Sequence, residues 1–509
     1  MTPRISLPSV FLLCALLSGI LTGCQARPLT EQITTREGPL LNYGRMSSSL
    51  GTVKLKDGRV VVIGGSPTET PFAPLTGTKS IEILNAQHTQ WTASGINVTV
   101  PLSGAAFLLP DGRILAFSAV YAFNKESSSP TDPPDSKEPS SGAVSAVIID
   151  IDNKRVTPLY RPILNDPKNP PLQANDGPAF VQRAFARSIQ LKDGRIIRIG
   201  GRVLYLPANH TATCKQPDGQ SEKRCRYCAG DECKAHPTQD YACTEVSQCP
   251  SWSPSAQQLY LPLIEIYTPP GHPDAKTLLG SIQRINMLEG RRHTAAIELN
   301  DGRVLITGGQ GPQGDGAEEV FSSTYFLDPK GLKIGQGPRM RVHREDHGIA
   351  QLQDGRILIS GGTDGDGQTV SDTELFDPKL NIFLNGDVMN LTREDHYSIQ
   401  LGSWLFLFGG EVSSKADQIR NSAEIFDAAQ GYHIGSFFLF SRKETDANQC
   451  PEGTERGVAG IDDFAAIALT QTSALLLGGQ QGCQDRDGEY ISPGQGSRRT
   501  LFVELPPSP

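Results

Sequence analysis

One phrase recurs through this chain, a tight turn, a short apolar run and then paired glycines. It reads KDGRVVVIGG to Gly65, KDGRIIRIGG to Gly201, NDGRVLITGG to Gly309 and QDGRILISGG to Gly362. Weaker copies are PDGRILAFSA from Pro110, GSWLFLFGG to Gly410 and QTSALLLGG to Gly479. Repetition at this spacing means that one supersecondary unit is stacked several times, so the repeat must be read before any single segment.

The best copy runs over residues 344–384. Residues 347–352 suit a first strand, and Asp354-Gly355 suits a hairpin turn because glycine tolerates positive φ. Ile357-Leu358-Ile359 is an apolar run of the length expected for a strand buried on both faces. Gly361-Gly362 lets another backbone approach closely. TELF, ended by Asp377-Pro378, is a third strand, and residues 381–384 are a fourth. One such antiparallel sheet cannot bury both faces alone, and radial stacking of several solves that problem.

The DGR turn, the double glycine and a following Glu-apolar-aromatic-Asp segment resemble the kelch-repeat family of β-propellers. That segment stands as Glu374-Leu375-Phe376-Asp377, Glu424-Ile425-Phe426-Asp427 and, loosely, Glu265-Ile266-Tyr267. The second unit departs from the pattern with Phe117-Ser118, and Trp91 alone sits where the family favours a fourth-strand tryptophan. The resemblance implies an all-β, kelch-type β-propeller of seven four-stranded blades. The last unit lacks an outer strand, which residues between 29 and 35 are expected to supply, closing the ring and covering an edge.

At 38% hydrophobic the chain can bury a large core, and a net charge of −8 with no basic run excludes a nucleic-acid surface. Arg4 precedes an apolar stretch over residues 5–21, the pattern of a secretory signal. It ends in Leu21-Thr22-Gly23-Cys24, which resembles the bacterial lipobox, in which the cysteine is acylated and becomes the first mature residue. That resemblance implies a lipoprotein signal peptide at 1–23, a lipidated tether and closing strand at 24–35 and a propeller at 36–509. Acyl chains in the plural give durable membrane attachment. Gln25, rather than an aspartate, implies sorting to the outer membrane of a bacterial envelope, on its periplasmic or surface face.

Without Cys14 and Cys24, eight cysteines remain, an even number suited to an oxidising compartment. Six lie in an insertion at 202–262: Cys214, Cys225, Cys228, Cys233, Cys243 and Cys249. Their spacing up to His236 has the look of a zinc knuckle, yet export and the scarcity of apolar residues favour disulfides stapling a small coreless unit. Six cysteines allow fifteen pairings and the sequence selects none. Cys450 and Cys483 fall in neighbouring loops of the seventh unit, where a disulfide is geometrically reasonable.

Candidate chemistry comes from aligning the units. Leu191, Leu299, Leu352 and Leu401 each have an arginine eight residues upstream, namely Arg183, Arg291, Arg344 and Arg393. An arc of guanidinium groups around the central opening would suit an acidic ligand. Repeated ion pairs stitching neighbouring blades explain the same recurrence, with Glu345 and Glu394 as the adjacent carboxylates, and this structural reading is preferred. His347 and His396 share one register, which points to fold rather than to a single active site. Asp364-Gly365-Asp366-Gly367-Gln368 opens like a calcium loop but has Leu375 where the closing glutamate belongs. Some kelch propellers are copper-radical oxidases. Tyr227-Cys228 and Tyr432-His433 do not assemble that site, and no nucleophile elbow or phosphate loop is present.

The expectation is therefore a lipid-anchored module that binds a protein, peptide or glycan without catalysis, needing no cofactor, calcium or zinc. The alternative is an enzyme resembling the periplasmic sialic-acid epimerases (mutarotases), in which the arginines hold a sugar carboxylate and Glu345 or Glu394 moves protons.

Overall fold

The computed structural model describes residues 28–506 apart from 46–49, 66–78, 99, 101, 119–122, 125–143, 161–179, 182, 207–211, 216–221, 230–231, 236–256, 313–317, 413–418, 441–460, 481–482, 485–489 and 492–496. Seven four-stranded antiparallel sheets form the blades of a β-propeller. From the innermost strand outward, blade 1 is Gly51–Lys54, Val60–Ile63, Ile81–Leu84 and Trp91–Ala93. Blade 2 is Leu102–Leu108, Ile114–Ser118, Val144–Asp150 and Arg155–Tyr160, and blade 3 is Arg187–Gln190, Ile196–Ile199, Leu263–Thr268 and Ser281–Asn286. Blade 4 comprises Ala295–Glu298, Val304–Thr307, Thr324–Asp328 and Lys333–Gln336. Blade 5 comprises Gly348–Gln351, Ile357–Ser360, Thr373–Asp377 and Ile382–Asn385. Blade 6 is Tyr397–Leu401, Trp404–Phe408, Ser422–Asp427 and His433–Phe438.

Blade 7 takes Asp462–Ala468, Ser473–Gln480 and Thr500–Glu504 from the C-terminal end and Thr34–Glu37 from the other. Thr34 pairs with Glu504 and Glu37 with Leu501. The closing strand thus begins at the end of the segment expected to supply it, preceded by one helical turn, Leu29–Gln32. Among the described residues, no helix is long and apolar enough to cross a membrane.

The core is divided by geometry. The second strand of each blade is flanked by neighbours on both faces, which is why VVVI, ILIS and their equivalents are buried throughout. Alternate residues serve opposite interfaces: Val60 and Val62 pack toward blade 7, while Val61 and Ile63 pack toward blade 2. Each of the seven blade interfaces holds its own apolar cluster. Trp91 is 4% exposed and belongs to the cluster between blades 7 and 1.

Two repeated polar devices hold adjacent blades in register. In the DGR turn the aspartate accepts the arginine N–H two residues on and pairs with its side chain, as Asp354 does with Arg356. The same arginine then reaches the outer hairpin of the next blade: Arg59 to Asp152, Arg195 to the Pro329 carbonyl and Arg356 to the Gln430 carbonyl. At the other end of the blade lies the paired glycine. The N–H of Gly309 donates to the Arg344 carbonyl and that of Gly362 to the Arg393 carbonyl, each one blade further on. Gly479 does the same to Arg45, so the contact also crosses the closure of the ring. A Cβ on Gly308 or Gly361 would lie 2.2 Å from the arginine carbonyl oxygen, which explains the pairing of glycines. Blade 2 has no such pair. There Arg198 of blade 3 stacks on Phe117 and donates to the Arg183 carbonyl, replacing the missing backbone contact.

Candidate functional site at the axial mouth

The aligned arginines do not face the opening. Arg183, Arg291, Arg344 and Arg393 are at most 1% exposed, and Arg45 of blade 1 occupies the same place. Each guanidinium turns into its own blade. Arg344 pairs with Glu374 at 3.3 Å and donates to the Gly361 carbonyl at 2.7 Å, and Arg393 pairs with Glu424 at 3.0 Å and donates to the Gly409 carbonyl at 2.7 Å. Arg45 pairs with Glu82 at 2.8 Å and Arg183 with Glu265 at 3.0 Å. The carboxylates come from the Glu-apolar-aromatic-Asp segment, not from Glu345 and Glu394. The ion pairs therefore lie within blades, and it is the arginine backbone that stitches one blade to the next.

The carboxylates of these pairs also accept backbone N–H groups. Glu374 accepts the N–H groups of Arg341 and Val342, and Glu424 those of Asn390 and Leu391. Burial would raise the Glu424 carboxyl, but His433, Arg393 and the Asn390 N–H outweigh it and hold the group below the usual carboxylate range. Burial presses the Arg183 and Arg393 guanidinium groups down to about 10, which leaves them charged at neutral pH. The swap in blade 4 shows the logic of the arrangement. Tyr325 stands where blades 1, 3, 5 and 6 have glutamate, and Glu289 pairs with Arg291 at 2.7 Å in its stead. Blades 2 and 7 have neither partner: Val147 and Leu501 occupy the glutamate register, and Ile461 takes the arginine position in blade 7.

His347 and His396 are likewise structural. His347 Nε2 bonds Thr307 Oγ1 of the preceding blade at 2.8 Å, and His396 Nε2 bonds Ser360 Oγ at 2.9 Å. Burial, then the neighbouring Arg393, depresses the His396 imidazole to about 3, so it is neutral. Asp364 caps a tight turn, accepting the N–H groups of Asp366 and Gln368 at 2.9 Å each, as a polar hairpin tip does.

What lines the mouth is the residue two places after each arginine. Phe185, His293, Asp346 and Asp395, with Asp463 of blade 7, all have φ between 49° and 55°. Aspartate and histidine tolerate this left-handed region better than most side chains. Their backbones form a collar: His293 N–H faces the Phe185 carbonyl at 3.4 Å, Asp346 donates to His293 at 3.3 Å and Asp395 to Asp346 at 3.1 Å. The conformation turns carboxylates inward. His293 Nδ1 lies 2.5 Å from Asp346 Oδ1, and its ring stacks on Phe185 at 4.7 Å between centroids. Glu345 stands beside His293 and Arg292, while Glu394 accepts the Thr363 hydroxyl.

Few cations balance this group. Burial, then Glu345 and Glu394, pushes the Asp346 carboxyl well above its ordinary range, and burial followed by Asp346, Asp463 and Glu394 does the same to Asp395. Glu345 is raised by burial despite the opposing charges of His293 and Arg292. The mouth thus presents carboxylates where the less favoured sequence reading placed an arc of guanidinium groups. Deeper in, Arg187 and Tyr397 begin the innermost strands of blades 3 and 6, and both are exposed to the bore.

The post-glycine loops elaborate this same end. Gln310–Pro312 pairs with Glu318–Val320, and Cys483–Gln484 with Tyr490–Ile491. In the blade 3 insertion, Arg202–Leu206 pairs with Gln257–Tyr260, and Ala212–Lys215, Glu222–Ala229 and Glu232–Ala235 form a further sheet. Cys228 and Cys233 are register partners there. The proposed disulfides, including Cys450 to Cys483 and those among Cys214, Cys225, Cys243 and Cys249, lie outside the described side chains, as does the acceptor Cys24.

Fold and mouth together define a seven-bladed β-propeller with an acid-lined axial opening on its loop-bearing end. No protein-family model matches the chain, and no curated protein matches it.

Proposed function

We propose that this chain is a kelch-type propeller that acts as a non-catalytic binding module, taking a protein, peptide or glycan on its loop-rich end. The observation that carries this reading is the meeting of two insertions from different blades. Phe123–Asn124 of blade 2 pairs in parallel with Arg202–Leu206 of blade 3, so loops that the fold does not require are joined into a common surface. The propeller is a fold commonly used for binding and scaffolding, and sites on such folds are set by their loops. The sugar-epimerase alternative needs arginines free to hold a substrate carboxylate, and the five repeated ones are buried and paired, four with buried glutamates and Arg291 with the half-exposed Glu289.

The same proposal places the protein in the bacterial envelope, anchored to the outer membrane through acylated Cys24. Two features of the rim support a short tether. The turn Leu29–Gln32 lies against the outer strand of blade 6, where Thr30 approaches Gly435. Only four residues separate Cys24 from Leu29, a reach of about 14–18 Å when extended. The rim of blades 5 and 6 also exposes Ile382, Leu384, Ile434 and Phe438, an apolar edge suited to lying near lipid.

Two experiments test the two parts. Replacing Cys24 with alanine should move the protein from the membrane fraction to the soluble one, and retention there would refute the anchor. A thermal-shift screen of the full chain against glycans and against acidic and basic peptides should give stabilising ligands that are recovered unchanged. Recovery of a chemically altered ligand would replace the binding reading with an enzymatic one.

A further inference from the structure

The axial mouth holds a constellation that the binding reading does not use. His293, Glu345 and Asp346 each offer one ligand atom, and the three atoms lie within 4.8 Å of one another. We propose that these residues hold a divalent cation of the Mn²⁺ or Zn²⁺ class, resident at the end of the propeller axis. One imidazole nitrogen with two carboxylate oxygens is a donor set for such borderline cations, and three protein ligands leave coordination positions open toward the mouth.

A second observation, two blades away, points the same way. Asp462 is 2% exposed, and its Oδ1 has no hydrogen-bond partner. Its charged neighbours are Glu411, Asp463 and Asp395, all carboxylates. A buried carboxylate oxygen without a donor is costly, and more so among like charges. Asp463 in turn acts on Asp346, so the two halves of the collar share one field. A dication at His293, Glu345 and Asp346 adds positive charge to this field beside that of Arg292.

In the cation-free protein the His293 and Asp346 ligand atoms hold one another. Arg292 Nη1 lies 3.0 Å from His293 Nε2 and can only donate, so in the cation-free protein the ring proton sits on Nδ1 and bonds Asp346. On binding, Nδ1 and the Asp346 oxygen exchange that bond for bonds to the cation, the ring proton moves to Nε2, and Arg292 Nη1 must swing away from that nitrogen because two donors cannot share the contact. Arg292 then keeps Gln310 and Glu318 as partners. The sequence reading expected no cofactor after weighing the cysteine insertion, the Asp364 loop and the histidines His347 and His396, whose rings are committed to Thr307 and Ser360.

The test is titration of the detergent-solubilised full chain, stripped with a chelator. Free Mn²⁺ is followed by its paramagnetic signal and Zn²⁺ by calorimetry. The expected result is one equivalent of either cation, bound roughly tenfold or more weakly in Glu345→Gln and in Asp346→Asn. Asp366→Asn, in the hairpin tip, should leave that equivalent untouched and so excludes the calcium-like loop. Mn²⁺ also separates the mouth from the cysteines, which favour softer metals. Each variant is checked for folding by its metal-free thermal midpoint, and if one variant fails to fold the other carries the test. Binding of neither cation, or an equivalent that survives both mouth substitutions, overturns the proposal.

Discussion

The Arg344 carbonyl accepts the Gly309 N–H at 2.8 Å from the preceding blade, while the guanidinium of the same residue reaches back to the Gly361 carbonyl of its own blade. One side chain and one carbonyl thus tie a double glycine on each side, and repetition of the contact carries the registration around the ring. The arginine and the glycines recur together because each is the other's reason.

Removing half of the buried pair should be severe. Arg344→Ala leaves Glu374 as an uncompensated charge in a site where both side chains are at most 2% exposed. A loss of about 3–5 kcal/mol is expected, read as a lower denaturation midpoint. The double variant with Glu374→Leu should not recover it, because the N–H groups of Arg341 and Val342 then lose their acceptor. Full recovery would show that the pair is dispensable.

Glycines that share a positive φ should differ in consequence. Gly308→Ala places a methyl group 2.2 Å from the Arg344 carbonyl oxygen at φ 56°, and a cost on the order of 3 kcal/mol follows from strain and overlap together. Gly302→Ala meets nothing within 4 Å at φ 85°, so only the conformational part, about 1 kcal/mol, remains. Equal thermal shifts for the two variants would contradict the close-approach explanation.

Deleting residues 28–37 should open the ring. Thr500–Glu504 would lose its partner strand and expose a free edge, which templates association with a second chain. Light scattering after size exclusion should show dimers or larger species and a lower melting temperature. A monomer of unchanged stability would mean that closure contributes little.

Acid stability should respond to His396. Its folded pKa, about 3, lies below the unfolded value of about 6.5, so the unfolded chain binds the extra proton first. The stabilising effect is fully present above pH 6.5 and is lost as pH falls toward 3, by up to about tenfold in the folding equilibrium per pH unit. His396→Gln should flatten the stability profile across that window by one proton's worth. A slope identical to that of the parent protein would place the linkage elsewhere.

Much of the fold was legible in the repeat. The strands of blade 5 fall within a residue or two of their expected places because an apolar run between turn signals can form little else when it is buried on both faces. Arg45 escaped notice because ten residues separate it from Leu55, where the other units have eight. The collar escaped for a different reason. Asp346 and Asp395 sit between a buried arginine and a buried histidine, and nothing in their spacing reveals that a left-handed backbone turns them toward the axis.

By itself the chain determined its blades, their number and the device that closes them, since turn chemistry, apolar periodicity and paired glycines act over a few residues. Which charges meet was decided only by the tertiary structure. Glu374 and Glu345 lie 30 and one residues from Arg344, yet it is Glu374 that the sheet register brings to the guanidinium and Glu345 that is left at the mouth. Electrostatic pairing depends on distance in space, and in a propeller that distance is set by stacking around an axis that no single repeat contains.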